Sequence, residues 1–196
     1  MKKPMQKWLA ALVLVALAAC GNLGGPGYHN VTGRGLEKTQ PDTVAERRIV
    51  LVYPYAHEKL DLVYFHDGNY DKSAMRKINY LMRDRHVNVT GVIDPELIDY
   101  MVDIRTRLGL PASVPFEILS GYRTPETNAR LATINGNVAK ESLHMHGWAV
   151  DFRIEHVYGQ AICDIAETMQ RGGVAFYPKD NHVHVDLGNI RTWKQR

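Results

Sequence analysis

Residues 181–186 read Asn-His-Val-His-Val-Asp. Histidine and valine alternate with the period of a β-strand, so His182, His184 and Asp186 share one face while Val183, Val185 and Leu187 take the other. A strand with one apolar face needs a core beneath it. Upstream, Ser142-Leu-His-Met-His-Gly-Trp-Ala-Val-Asp151 runs on into Phe152, Arg153 and Ile154. Val150, Phe152 and Ile154 form a second apolar face, and Asp151 and Arg153 point away from it. If the two strands are neighbours, Asp151 and His184 converge on the polar side of one sheet. His144 lies seven residues before Asp151. An unbroken strand would set them on opposite faces about 23 Å apart. The chain must therefore bend between them, and Gly147 supplies the freedom to do so.

Working outward, Val174–Tyr177 reads as a further strand, and Trp148–Ile154 and His182–Leu187 are the strands just described. Ile162–Arg171 reads as a helix closed by Gly172-Gly173, with Cys163 on its apolar side as a buried small hydrophobe. Asp94-Pro95-Glu96 is a helix start, with a cap, a first-position proline and an acid. Leu97, Ile98, Met101, Ile104 and Leu108 continue that helix as a stripe, and Gly109 stops it. Thr124-Pro125-Glu126 repeats the start signal. Met75, Ile78, Leu81 and Met82 mark a helix across Asp71–Arg85, and Phe116–Leu119 is a short strand. Arg48–Tyr53 and Leu60–Phe65 flank Tyr-Ala-His-Glu-Lys as a hairpin. The expected fold is a single α+β domain, a small antiparallel sheet packed with helices.

Two imidazoles and one carboxylate are the ligand set of a catalytic zinc whose fourth position is left to water. The two histidine pairs and the aspartates beside them offer residues of that kind. The competing reading is four unrelated histidines (His144, His146, His182, His184) on the surface or in the core. The alternating His-x-His strand and the glycine turn between His144 and Asp151 argue against it.

The chain has 196 residues, 45% of them apolar and 23% charged, with a formal charge of +3. This is ordinary globular composition. The first 19 residues hold Lys2, Lys3 and Lys7 and no acid, so the rest balances 21 basic against 21 acidic residues. No nucleic-acid partner is expected from that balance. Trp8–Ala19 is an apolar run of about 12 residues, too short to span a bilayer. Residues 1–19 read as a signal peptide. Leu17-Ala-Ala-Cys20 resembles a bacterial lipobox, which implies lipidation of Cys20. Two acyl chains anchor stably, and the glycine-rich stretch that follows Cys20 reads as a flexible tether within 20–45, before a catalytic domain at 46–196. Gly21 after the cysteine favours an outer-membrane lipoprotein facing the periplasm.

Ser142, His144, Gly147, Ala149 and Asp151 together resemble the zinc motif of the M15 metallopeptidases, enzymes with a hedgehog/D-Ala-D-Ala peptidase-like core. Ser120-Gly-Tyr-Arg-Thr-Pro125 resembles the element that precedes it. Gly172-Gly-Val174 with Tyr177-Pro178, then Val183-His-Val-Asp186, Gly188, Arg191 and Trp193, resemble the C-terminal signature of the murein endopeptidase K-like subgroup. So do Asp67-Gly68, Tyr70 and Ile78–Asp84. The resemblance implies a Zn²⁺ enzyme acting on peptidoglycan cross-links, with His144, Asp151 and His184 as ligands. It implies that Arg123, with Tyr122, binds substrate, and that Ser142 orients a ligand. Some relatives place a glutamate three residues before the last ligand, where this chain has Asn181. Others carry His-x-His with the first histidine assisting, a likeness that implies the base or oxyanion role for His182. Asp180 and Asp186 are the alternative bases, and Asp186 can also orient His184. His146 reads as a loop residue beside the site, and Tyr177 as either a cleft wall or core. Two other outcomes stay open, a D-Ala-D-Ala carboxypeptidase or dipeptidase and a non-catalytic zinc-containing peptidoglycan-binding lipoprotein.

Overall fold

A computed structural model describes residues 46–134 and 138–194. The expected signal peptide, Cys20 and the expected tether lie outside them. Strand β1 (Glu46–Tyr53) and β2 (Glu58–His66) form the expected hairpin, with Leu51 opposite Leu60, and β2 turns back into β3 (Asn69–Tyr70). Helix α1 (Lys72–Leu81) starts where the Asp71 carboxylate accepts from the Ala74 amide at 2.6 Å. It ends four residues earlier than its apolar spacing suggests. Met82 caps it, and Asp84 pairs with Val89 in an isolated antiparallel bridge. Helix α2 (Pro95–Arg107) begins as its sequence indicates, with Asp94 capping the Glu96 amide at 2.9 Å. Strand β4 (Phe116–Ser120) leads to α3 (Pro125–Ile134), whose first turn is held by Thr124 Oγ1 accepting from Thr127 N.

The remaining elements are β5 (Ala149–Arg153), α4 (Gly159–Met169), β6 (Gly173–Tyr177), β7 (His182–Asp186) and β8 (Arg191–Lys194). All eight described strands join one sheet in the order β3-β2-β1-β4-β5-β7-β6-β8. The α+β class is as expected, but the sheet is larger and mixed. Two pairs are parallel, β1 with β4 and β6 with β8, and the others are antiparallel. Helix α4 packs on β6 and β7, while α2 packs on α4 and β1. Val150, Phe152, Val183 and Val185 are buried with Ile162, Cys163 and Ala166 of α4 in one core. Burial of such side chains contributes roughly 1.5–3 kcal/mol each. Phe116 and Phe152 meet edge to face at 5.3 Å across β4 and β5, a geometry that suits the ring quadrupoles. The polar faces of β5 and β7 are thereby turned away from the helical layer.

Gly172 and Gly173 do not close α4. Gln170, in the left-handed conformation at φ 49°, caps it instead. The two glycines lie against β7, where a Cβ on Gly172 would stand 1.8 Å from the Asp186 carbonyl oxygen. Among the described residues no helix is long and apolar enough to cross a membrane.

Candidate metal centre

Strands β5 and β7 are antiparallel neighbours, and their register sets Asp151 directly opposite His184. Cross-strand partners on one face hold their Cβ atoms about 5 Å apart, and here His184 Nδ1 lies 2.8 Å from Asp151 Oδ1. His144 reaches the same place from a short 3-10 turn, Leu143–His146, ended by Gly147 at φ 67°. That turn is the predicted bend. A Cβ on Gly147 would meet the Val92 carbonyl oxygen at 1.9 Å, so the turn also needs the space that glycine leaves. Ser142 caps the turn by accepting from the His144 amide at 3.4 Å, so it sets the backbone that carries the ring rather than touching the ring.

One ligand atom from each of His144, Asp151 and His184 lies within 4.8 Å of the others. His144 Nδ1 donates to the Gly121 carbonyl oxygen at 2.7 Å, which leaves Nε2, 3.4 Å from Asp151 Oδ2, as the lone-pair nitrogen. His184 has carboxylates at both ends, Asp151 at Nδ1 and Asp186 at Nε2, the latter at 2.9 Å. Neighbouring ligand atoms around a tetrahedral zinc stand about 3.4 Å apart. The spacings of 3.4 and 2.8 Å are of that order. The donor set, two nitrogens and a carboxylate, suits zinc, and the hydrogen bonds on the far side of both rings are those metal-bound histidines use.

Burial works against charge on Asp151, yet His144 and His184 beside it outweigh that and hold its carboxyl well below the usual carboxylate range. Burial likewise disfavours a charged His184, but its bonds to Asp151 and Asp186 prevail and raise it to about 9. His144 goes the other way, because burial lowers it by more than Asp151 raises it. A metal entering the site therefore meets a neutral His144 and must displace a proton from His184.

Arg123 was expected to face substrate. Its Nη2 donates to Asp151 Oδ2 at 2.7 Å and its Nε to Ser120 Oγ at 2.8 Å, which leaves Nη1 without a hydrogen bond among the described residues. Tyr122 is not brought into the cluster. Its ring lies flat on Gly91, where a Cβ would be 2.2 Å away, and it lines a cavity of about 410 Å³ with Ser120, Arg123 and Arg85. His182 is stacked on Tyr177, ring centres 4.4 Å apart and planes 7° from parallel, and burial lowers its pKa. Its Nδ1 is buried without a hydrogen bond, with Asp180 at 4.0 Å. Tyr177 is thus a wall of the site. Exposed His146 lies against Trp148 outside the cluster. Sequence reasoning missed Trp193, whose ring centre is 5.2 Å from that of His184. Its only signal was its place in the C-terminal signature.

The family model described as "Peptidoglycan L,D-endopeptidase MepK" matches residues 41–193. The chain belongs to this family. A probable peptidoglycan L,D-endopeptidase MepK of Haemophilus influenzae is 40% identical over 125 residues, 64% of this chain and 67% of that protein. Peptidoglycan L,D-endopeptidase MepK of Escherichia coli K12 is 34% identical over 151 residues, 77% of this chain and 82% of its own. The Shigella flexneri protein of the same name matches to the same extent. The MepK family match places the chain among the M15 metallopeptidases. It spans β1 to Trp193 of β8, and so includes both halves of the His-Asp-His cluster.

Proposed function

We propose that this chain is a zinc-dependent murein endopeptidase that hydrolyses peptide cross-links of peptidoglycan, of the L,D type named for its relatives. The observation that carries the reading is the convergence of His144 Nε2, Asp151 and His184 Nδ1. These three would hold the metal. When bound, it supplies Lewis acidity toward a peptide carbonyl and toward the attacking water. The chain's own groups do the rest. Arg123 is fixed by Asp151 and Ser120 with Nη1 open, so it can donate to the carbonyl oxygen as charge develops there. His182 stands two residues from His184 on the same face of β7, about 7 Å along the strand. Burial keeps its ring neutral at neutral pH, as a group must be to accept the water's proton and pass it to the leaving amine.

The same proposal places the enzyme outside the cytoplasm. A signal peptide at 1–19 and a lipidated Cys20 would leave it as an outer-membrane lipoprotein, with a tether through residue 45 reaching toward the wall. The test is digestion of purified cross-linked muropeptides by the soluble domain, with mass spectrometry and metal analysis, with and without chelator. Cleavage of the cross-link that chelator abolishes and zinc restores is expected. His144→Ala, Asp151→Ala and His184→Ala should each lose both metal and cleavage. Release of only a terminal D-alanine would favour a carboxypeptidase, and tight binding of murein without fragments would favour a binding protein. Stoichiometric zinc in all three variants would overturn the ligand assignment.

A further inference from the structure

Asp186 is fully buried, yet its carboxylate is the most heavily engaged acceptor near the site. Oδ1 accepts from Gly173 N at 2.9 Å, Gly188 N at 2.8 Å and Arg191 Nη1 at 3.1 Å. Oδ2 accepts from Arg191 Nη2 at 2.7 Å and faces His184 Nε2 at 2.9 Å. Arg191 thus makes the paired fork contact for which guanidinium is suited. The amide of Gly173 can come this close because a Cβ there would stand 2.5 Å from Asp186 Oδ2. Arg191 and Trp193 both belong to β8, the edge strand parallel to β6. The Arg191 guanidinium lies over the Trp193 ring at 4.9 Å, and that ring adjoins His184.

We infer that Asp186, clamped by Arg191 and the amides of Gly173 and Gly188, fixes which nitrogen of His184 carries the proton, making β8 a working part of the metal centre. This rests on the metal-site reading above and deepens it. A metal can take Nδ1 only if the remaining proton sits on Nε2. A carboxylate that already accepts from four other donor contacts, and has no proton to give, can meet Nε2 only as an acceptor. When the metal displaces one proton, the clamp therefore decides that the one on Nε2 stays and the one on Nδ1 leaves. Asp186 and Arg191 are positioning residues, not bases.

Asp186→Asn separates this role from simple packing. An amide must turn its NH2 toward one of the two oxygen positions. The Oδ1 position faces three donors and the Oδ2 position two, so the NH2 goes to the latter. There it donates to His184 Nε2 and drives the ring proton to Nδ1, the atom the metal needs. The shape and the contacts at Oδ1 survive.

The experiment measures zinc affinity of the soluble domain by chelator competition and records the histidine ¹H–¹⁵N resonances of the zinc-loaded protein. Wild type should show a slowly exchanging, downfield Nε2 proton for His184. Asp186→Asn should lose that resonance and bind zinc about 10- to 100-fold more weakly. Arg191→Gln, which removes the fork but leaves both amides on Oδ1, should weaken binding by a smaller factor, and Arg191→Lys should not restore it. Arg191 is partly exposed, so its variants keep the test alive if Asp186→Asn fails to fold. Folded variants with wild-type zinc affinity and an unchanged Nε2 resonance would overturn the inference while leaving the metal-site reading intact. A wild type that binds no zinc would overturn both.

Discussion

Gly147→Ala tests how the fold and the metal centre are coupled. Gly147 sits at φ 67° between His144 and Asp151, and Gly109 sits at φ 71° at the end of α2. In both places an alanine must adopt the left-handed conformation, a cost of about 1 kcal/mol. The difference is space. A Cβ at Gly109 meets nothing within 4 Å, whereas at Gly147 it would stand 1.9 Å from the Val92 carbonyl oxygen. Ordinary carbon–oxygen contact begins at about 3.3 Å, so the turn must retreat by more than 1 Å. The Gly147 carbonyl also accepts from Asp94 N at 3.1 Å, which ties the turn to the start of α2. Gly109→Ala should lower the midpoint of thermal unfolding by about 2–4 °C, and Gly147→Ala by about 6–12 °C, for a cost near 3 kcal/mol. The retreat moves His144 relative to Asp151, so Gly147→Ala alone should also weaken zinc binding at least tenfold. Thermal unfolding of the metal-free proteins and chelator competition read the two effects separately. Equal destabilisation by the two substitutions, with zinc affinity unchanged in both, would refute the reasoning.

Other outcomes follow from the same geometry. Arg123→Ala should keep its zinc and lose about 10²- to 10³-fold in turnover of cross-linked muropeptides; an unchanged rate would remove its role at the carbonyl oxygen. In the metal-free protein the His184 pKa is raised to about 9, above the ordinary histidine value. The stability it lends is therefore fully present below about pH 6.5 and is lost as pH rises through about 9. Zinc binding must displace that proton, so affinity should climb over the same interval, and denaturation and zinc titrations at several pH values will show whether the two trends oppose. Cys20→Ser should move the full-length protein out of the membrane fraction, and retention there would count against lipid anchoring.

Much of the site can be read from the chain because strand periodicity is a local property. The alternation of His182–Asp186 gives the shared face, the Val150–Phe152 pattern gives the facing strand, and the distance problem between His144 and Asp151 demands a bend. Partner choice within the sheet is not local. Nothing in the alternation of β1 or β6 marks a parallel neighbour, so the eight-stranded mixed sheet appears only in three dimensions. Gly172 and Gly173 resemble a helix stop, since a close backbone approach leaves no different trace in the sequence from a cap. Arg123 could be singled out from its motif, but its pairing with Asp151 depends on β4 lying beside β5. Tyr177 could not be separated from core residues until the stack with His182 was visible.

Asp151 and His184 meet because they are directly paired across β5 and β7. A slip of one residue between those strands would turn one of the two side chains to the opposite face. A copy with that slip would lose the His-Asp-His cluster outright, rather than hold it imperfectly. For a peptidoglycan endopeptidase that is a safeguard in its own right: correct strand pairing and a complete cluster arrive together.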